Sequence, residues 1–123
     1  MQLADVEFES SDKAVVARVS GEVDLSNAES LGAALLASMA NSERQLILDL
    51  SAVAYLDSAG IRLIYQLRER LRVRGQTLSL VIPTSSASHD ALRLAGVSQH
   101  VETAETVEEA SGDDVSPPPT TAG

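Results

Sequence analysis

The sequence predicts an α/β fold in a single domain: a small, mixed but mostly parallel sheet of about four or five strands, flanked by about four helices. Three observations lead to this fold class. The chain has 123 residues, enough for one hydrophobic core. Apolar residues make up 44% of it and aromatic residues only 2%, so aliphatic side chains must fill that core. After an initial pair of strands, helical and extended patterns alternate, and right-handed crossovers between such elements require parallel strands.

An extended segment and a strand open the chain. Residues 6–8 have an extended pattern, and the β-branched run over residues 14–20 predicts a strand that Gly21 interrupts. Because a short polar segment separates the two, we expect a hairpin. A helix then begins near Ser26, with Glu29 at the spacing of a capping box. Its apolar stripe recurs at helical spacing, at Ala28, Leu31, Leu35 and Met39.

The middle of the chain predicts a buried strand followed by the longest helix. Residues 45–51, QLILDLS, form a short and mostly apolar run of the kind found in buried strands. The helix is expected over residues 58–74, with Gly75 as its stop signal. Its apolar side chains share one side of the helix: Ile64, Leu67 and Leu71, with Ile61 and Leu63 beside them.

The last third of the chain predicts three short elements after another strand, TLSLVI, which Pro83 closes. A third helix is expected from about Ser86 to Ala95, and a short strand over residues 101–103. Thr106 and Glu109 repeat the capping-box spacing and start a last helix. These elements complete a predicted domain over residues 1–110.

Residues 111–123, SGDDVSPPPTTAG, have a different composition. They contain three consecutive prolines, few apolar residues and no periodicity. Such a segment cannot bury enough surface to offset its loss of conformational entropy. We therefore expect a flexible, Pro-rich acidic tail.

The charge of the chain excludes some partners. Its 9 basic and 18 acidic residues give a net charge of −9, which opposes binding to nucleic acid or to an anionic membrane surface. Five of the nine cations nevertheless fall within residues 62–74. This cluster is either a solvated face or a surface that binds an acidic partner. There is no cysteine, and we find no signal-peptide pattern or apolar stretch of membrane-spanning length. We expect a soluble, cytoplasmic protein.

Ser58, in the segment YLDSAG, invites the question of catalysis. A nucleophilic serine needs a base within hydrogen-bond reach, and the segment lacks the Gly-x-Ser-x-Gly frame of a nucleophile elbow. The two histidines, His89 and His100, have the sequence context of a helix start and a loop. Two carboxylates, Asp49 and Asp57, lie near this connection, but alone they are a weak metal signal.

Two other roles for Ser58 remain open at this level. Either Ser58 or Asp57 could cap the helix by accepting a hydrogen bond from its first turn, typically worth about 1 kcal/mol. Alternatively, Ser58 could carry a phosphate, which the positive end of a helix tolerates. A phosphate adds about −1.5 to −2 charges, so it could spare the fold while weakening any interface that covers it.

Three segments together resemble the STAS domain, and among its members the bacterial anti-sigma factor antagonists. They are GEVDLSNAESL at 21–31, LILDLSAVAYLDSAGIRLI at 46–64 and LSLVIPTSSASHDALRLAGV at 78–97. The likeness covers residues 6–110 in the expected order, and Asp-Ser-Ala-Gly behind an LDLS strand is its most specific part. The resemblance implies a small sheet flanked by helices, no cofactor, and a protein that binds partners rather than catalysing a reaction.

The resemblance also implies a switch. Ser58 matches the serine that an anti-sigma factor, itself a serine kinase, phosphorylates using ATP. The unmodified antagonist binds that anti-sigma factor and frees a sigma factor, and a phosphatase restores binding after phosphorylation. Asp24 matches the acidic loop position, which could equally cap the following helix, and Asp57 and Gly60 match the residues that flank the serine. The expected partner-binding residues are Asp24, Leu25, Ser26, Asp57, Ser58, Ala59, Gly60 and Arg62.

Other uses of the family leave an alternative function. Similar domains are subunits of membrane-associated transport assemblies or of stress-signalling assemblies, and some of these lack the modifiable serine. The presence of Ser58 favours the regulatory branch. Nucleotide binding by the domain itself has no glycine-rich phosphate loop to support it.

Overall fold

The structure is a computed structural model that describes residues 4–11 and 13–112. Within these ranges the chain forms five strands and four α-helices. A short 3-10 helix, Val97–Gln99, lies before the last strand. In chain order the elements are β1 (Asp5–Ser11), β2 (Ala14–Val23), α1 (Ala28–Ala37), β3 (Gln45–Leu56), α2 (Ser58–Val73), β4 (Thr77–Val81), α3 (His89–Leu94), β5 (Glu102–Ala104) and α4 (Val107–Ser111).

The strands form one sheet in the order β1-β2-β3-β4-β5. β1 and β2 are antiparallel and make the predicted hairpin, whereas the other neighbouring pairs are parallel. α1, α2 and α3 provide the crossovers between the parallel strands, as the alternating pattern requires. The predicted mixed, mostly parallel α/β fold is confirmed. None of the helices in the described ranges has the length and apolar character needed to cross a membrane.

Two faces of the sheet bury apolar side chains. The main core lies between the sheet and α1, α2 and α3, and its members include Leu35, Leu67 and Leu92. A smaller cluster on the opposite face is covered by α4, where Val107 and Ala110 pack against Val16, Ile47 and Val81. The central strands are therefore covered on both faces, which explains why their sequences are mostly apolar.

β2 and β3 are both longer than predicted. β2 does not stop at Gly21, because Gly21 pairs with Val53 and the ladder continues to the pair Val23 and Leu56. β3 runs on from the predicted end at residue 51 to Leu56. The register shifts twice along this pair of strands, and each shift places one extra residue on β3.

The two irregularities change the spacing of buried side chains on β3. The residues of β3 that belong to the main core are spaced two apart before the first register shift and three apart across each of the two shifts. They are Leu46, Leu48, Leu50, Val53 and Leu56. From the first register shift onward, residues of the main core no longer recur at every second position, so the period of two that indicates a strand in a sequence is absent. The second half of β3 was missed for this reason.

The start of α1 differs from the prediction. The capping box of Ser26 and Glu29 is wrong, because α1 begins at Ala28 with Asn27 as its N-cap residue. The Ser26 hydroxyl instead donates to the Asp24 carboxylate at 2.6 Å. Asn27 is buried and fastens the loop, since its side-chain amide donates to the Glu22 carbonyl at 2.8 Å and its Oδ1 accepts from the Asp24 N–H at 3.0 Å.

The later elements follow the predictions with shifted bounds. α2 ends one residue before the predicted position, α3 begins at His89 after a run of turns, and β5 is displaced by one residue. The Thr106 cap is confirmed, with the Glu109 N–H donating to the Thr106 hydroxyl at 3.0 Å. The first two residues of the predicted tail belong to the end of α4, with Ser111 as its last residue and Gly112 as its C-cap, and residues 113–123 lie outside the described residues.

Two glycines permit close helix packing. A Cβ on Gly60 would lie 2.8 Å from Leu56 Cγ and 3.1 Å from Val23 Cγ1, both in the main core. A Cβ on Gly32 would meet only the end of a side chain, Leu63 Cδ1, at 2.7 Å.

We expect Gly60→Ala to lower the free energy of unfolding by about 1–3 kcal/mol, because the new methyl group displaces packed core atoms. Gly32→Ala is the matched control. Its clash is relieved by rotation of Leu63, and alanine gains up to about 1 kcal/mol in helix propensity. Urea unfolding of both variants measures the difference, and a Gly60→Ala protein as stable as Gly32→Ala would contradict this account.

Candidate functional site

The two segments singled out in the sequence meet at the carboxyl ends of β2 and β3. Val23 and Leu56 are paired residues at these strand ends, so the chain enters the Asp24 loop and the start of α2 from neighbouring positions. The Asp57 N–H donates to the Val23 carbonyl at 3.2 Å and holds the two connections together. In parallel sheets this edge is where ligands and partners bind.

Asp57 caps α2 and leaves Ser58 exposed. The Asp57 Oδ1 accepts from the N–H of Ala59 at 2.8 Å and of Gly60 at 3.3 Å, so Asp57 rather than Ser58 performs the capping role. Ser58 is the first residue of α2 and lies on the surface. Within the described part of the chain, the Ser58 hydroxyl makes no hydrogen bond, so it is available to another molecule.

Asp24 organises its own loop and does not cap α1 with its side chain. The Asp24 Oδ1 accepts from the Ser26 hydroxyl at 2.6 Å and from the Ser26 N–H at 2.9 Å. These two bonds, the hydroxyl bond first, lower the pKa of the Asp24 carboxyl below its ordinary value. The Asp24 carbonyl accepts from the N–H of Asn27 and of Ala28, at 3.1 and 2.9 Å. The loop is therefore held by a charged acceptor at its first residue.

Two large apolar side chains are exposed at this edge. Leu25, one of the expected partner-binding residues, is 78% exposed. Tyr55, three residues before Ser58, is 54% exposed and pairs with Glu22. The sequence pattern does not indicate Tyr55, because this residue follows the register shifts of β3, where alternation no longer tells which residues face outward. The available signal was an aromatic residue beside the serine in a chain with few aromatics.

The remaining expected residues divide by burial. Arg62 is exposed, whereas Ala59 and Gly60 are buried. The absent side chain of Gly60 makes room for Leu56 and Val23, so tight packing of the first turn explains this glycine without a partner. A partner contact at Ala59 or Gly60 stays a prediction.

A cleft of about 670 Å³ lies between α1 and α2 beside Ser58. Its floor is apolar, and its rims carry polar and charged side chains. No single segment of the sequence marks it, because it forms only where the two helices pack. The residues that line it are Leu25, Ala28, Glu29, Gly32, Ala33, Leu36, Ala59, Arg62, Leu63, Gln66, Leu67, Glu69 and Arg70.

In the described part of the chain, the two histidines lie away from Ser58 in other contacts. His89 approaches Asp90, with 3.3 Å between Nδ1 and Oδ1, and the His100 ring packs edge-on against Tyr65 with centroids 5.7 Å apart. Among the described residues neither histidine is hydrogen-bonded to Ser58. A serine without a base within reach is not activated as a nucleophile.

The two carboxylates considered for a metal are used separately. Asp49 lies within β3, where its carboxylate accepts from the N–H and hydroxyl of Ser51 and approaches Arg18. Asp57 is occupied by the cap of α2. Across residues 4–11 and 13–112 no group of three or more His, Asp or Glu side chains could hold a metal ion.

Comparisons with known proteins agree with this architecture. The anti-sigma factor antagonist of known crystal structure from Mycobacterium paratuberculosis is 28% identical, with a TM-score of 0.79 over 90% of this chain and 93% of that one. SpoIIAA from Bacillus in its phosphorylated form is 20% identical, with a TM-score of 0.64 over 89% of this chain and 98% of that one. Its unphosphorylated form gives a TM-score of 0.63. At that identity SpoIIAA indicates a shared fold.

Sequence comparisons point to the same group. BtrV of Bordetella bronchiseptica, a protein assigned to the anti-sigma factor antagonists, is 38% identical over 66 residues. This match spans 53% of the present chain and 57% of the length of BtrV. The family model of the STAS domain matches residues 5–110, which include every element from β1 to α4 except the last residue of α4. With this match and the order of its five strands, the chain belongs to the STAS domain family.

Proposed function

We propose that the chain is an anti-sigma factor antagonist whose partner is an anti-sigma factor with serine kinase activity. Unmodified protein binds this partner and releases a sigma factor. Phosphorylation of Ser58 ends the binding, and a phosphatase restores it. The observation that carries the proposal is the Ser58 hydroxyl at the first residue of α2, which is exposed and makes no hydrogen bond to any described residue.

The cap of α2 indicates where a phosphate on Ser58 would point. Asp57 already accepts from the N–H groups of Ala59 and Gly60. A phosphate of about −1.5 to −2 charges would be repelled by the Asp57 carboxylate and would remain on the outside of the helix. It would disfavour a covering partner more than it would destabilise the fold, because burying the charged phosphate in an interface costs several kcal/mol, and about 1.4 kcal/mol reduces affinity tenfold.

The surroundings of Ser58 suit a protein partner. Exposed Leu25 and Tyr55 provide apolar contact area, and exposed Arg62 lies one helical turn beyond Ser58. Such a mixture of apolar, aromatic and arginine side chains is typical of interface centres. SpoIIAA shares this fold in both its unphosphorylated and its phosphorylated form, with TM-scores of 0.63 and 0.64 to this chain, which supports the expectation that phosphorylation spares the fold.

Mass spectrometry of the protein from its own cells, with co-purifying partners identified in the same run, tests the proposal. Incubation with the co-purified kinase and ATP should add one phosphate to the wild-type protein. Ser58→Ala should abolish this gain, whereas Ser85→Ala, a change at another exposed serine, should leave it intact. Full phosphorylation of the Ser58→Ala protein, or recovery of an ATPase transporter without a kinase, would contradict the proposed function.

We expect Ser58→Asp to weaken binding to the kinase by about tenfold or more, because a negative charge would be buried in the interface. The matched control Ser85→Asp should bind as the wild type does. Titration at fixed salt measures the affinity, and urea unfolding should show cooperative transitions within about 0.5 kcal/mol of the wild type for both variants. Equal affinities of the two variants for the kinase would show that Ser58 does not lie in the interface.

Leu25→Ala should reduce affinity for the kinase by about five- to tenfold, because the interface would lose the apolar area of this exposed side chain that the partner buries. Leu94→Ala is the matched control, since Leu94 is 77% exposed, as Leu25 is at 78%, but lies on α3. Neither change should alter stability by more than about 0.5 kcal/mol. A larger loss of affinity for Leu94→Ala would place the interface on another surface.

A further inference from the structure

We infer that the cleft between α1 and α2 is a docking groove for an amphipathic helix of the partner, with acidic side chains along the flank that faces α2. This inference deepens the proposed function, since it describes one part of the anti-sigma factor that the chain would bind. It depends on three properties of the cleft: its apolar floor, its charged rims and its position beside Ser58.

The floor of the groove is apolar and shaped by a close approach of the two helices. Gly32 of α1 faces Leu63 of α2, and a Cβ on Gly32 would lie 2.7 Å from Leu63 Cδ1. The α1 side of the floor extends from Ala28 to Leu36, about 12 Å at the rise of an α-helix. This length accommodates about two turns of a helix with apolar residues at i, i+3, i+4 and i+7.

The α2 rim carries unpaired positive charge. Arg62 and Arg70 line the groove and, among the described residues, neither forms an ion pair. The single carboxylate of α2, Glu69, is bound to Arg72 with 2.5 Å between the charged atoms, a contact that also lowers the pKa of Glu69. A chain with a net charge of −9 thus presents a cationic rim here.

The α1 rim has the opposite sign, since Glu29 is its charged residue. A helix in the groove would therefore match both rims with acidic side chains toward Arg62 and Arg70 and none toward Glu29. This asymmetry fixes the orientation of the occupant about its own axis. It excludes a uniformly acidic or a uniformly basic helix as the best fit.

Phosphorylation would act directly on this groove. Ser58 and Arg62 are four residues apart on α2 and therefore neighbours on one helix face. A phosphate on Ser58 would attract the Arg62 guanidinium and withdraw that cation from the rim. The same phosphate would repel the acidic flank of the occupant. Phosphorylation would thus weaken binding of the occupant at the groove, one helical turn from the modified residue.

A peptide titration of the 123-residue chain tests the groove without kinase or ATP. The probe is a synthetic peptide of about 18 residues with leucines at i, i+3, i+4 and i+7 and glutamates along one flank, and its control carries lysines in place of the glutamates. We expect the acidic peptide to bind about tenfold tighter than the lysine peptide at low salt, with a smaller difference at high salt. Amide NMR shifts should concentrate at Gly32, Ala33, Arg62 and Gln66.

Two pairs of variants sharpen the test. Ala33→Trp fills the groove and should abolish peptide binding, whereas Ala34→Trp, at an exposed position of α1 outside the groove, should not. Arg70→Glu should weaken binding about tenfold, whereas Arg93→Glu, the same charge change on α3, should not. Arg70→Glu keeps the test decisive if the bulky Ala33→Trp protein fails to fold.

Equal binding of the two peptides, equal effects within either variant pair, or shifts centred outside the groove would overturn the inference. These outcomes are separable from a failure of the proposed function. Phosphorylation at Ser58 without discrimination between the peptides would contradict the docking groove and support the phosphorylation switch. Selective binding of the acidic peptide without phosphorylation would support the docking groove and contradict the switch.

Discussion

The carboxylate of Asp57 accepts the first N–H groups of α2, and the arrangement of the candidate site depends on this cap. β3 delivers the chain to this point beside the end of β2, where the Asp57 N–H also binds the Val23 carbonyl. Because Asp57 satisfies the helix start, Ser58 has no capping duty. Its hydroxyl lies at the positive end of a helix, on the surface, at the sheet edge where binding sites of parallel folds occur.

Around the cap of α2, the buried residues that stabilise the fold are distinct from the exposed residues that are available to a partner. Gly60 and Ala59 are buried and serve the packing of the first turn, while Ser58, Arg62 and Leu25 are exposed around it. A change at Ser58 would therefore reach the proposed partner contacts before it reaches the core. The proposed effect of a phosphate is also confined to the surface at the α2 rim of the groove, because a phosphate on Ser58 would alter the charge of that rim through Arg62.

Much of this architecture was predictable from the sequence, and the failures have physical causes. The periodicity of apolar residues predicted the long amphipathic α2, Gly75 predicted its end, and the alternation of helices and strands predicted the parallel strand pairs. The second half of β3 was missed because two register shifts break the period of two. The start of α1 was misplaced because Asp24 binds Ser26 in a local turn and Asn27 takes the cap position. The cleft needs the contact of α1 with α2, which no local pattern contains.

The affinity of the proposed anti-sigma kinase for residues 1–123 before and after phosphorylation of Ser58, measured with the unfolding midpoint of both forms, tests the central claim most directly. We predict a loss of affinity of about a hundredfold, equivalent to about 2.7 kcal/mol, with the two midpoints unchanged. Unchanged affinity would contradict the account. So would a loss of affinity accompanied by an equal loss of stability, because the phosphate would then act on the fold and not on the surface that the Asp57 cap leaves open.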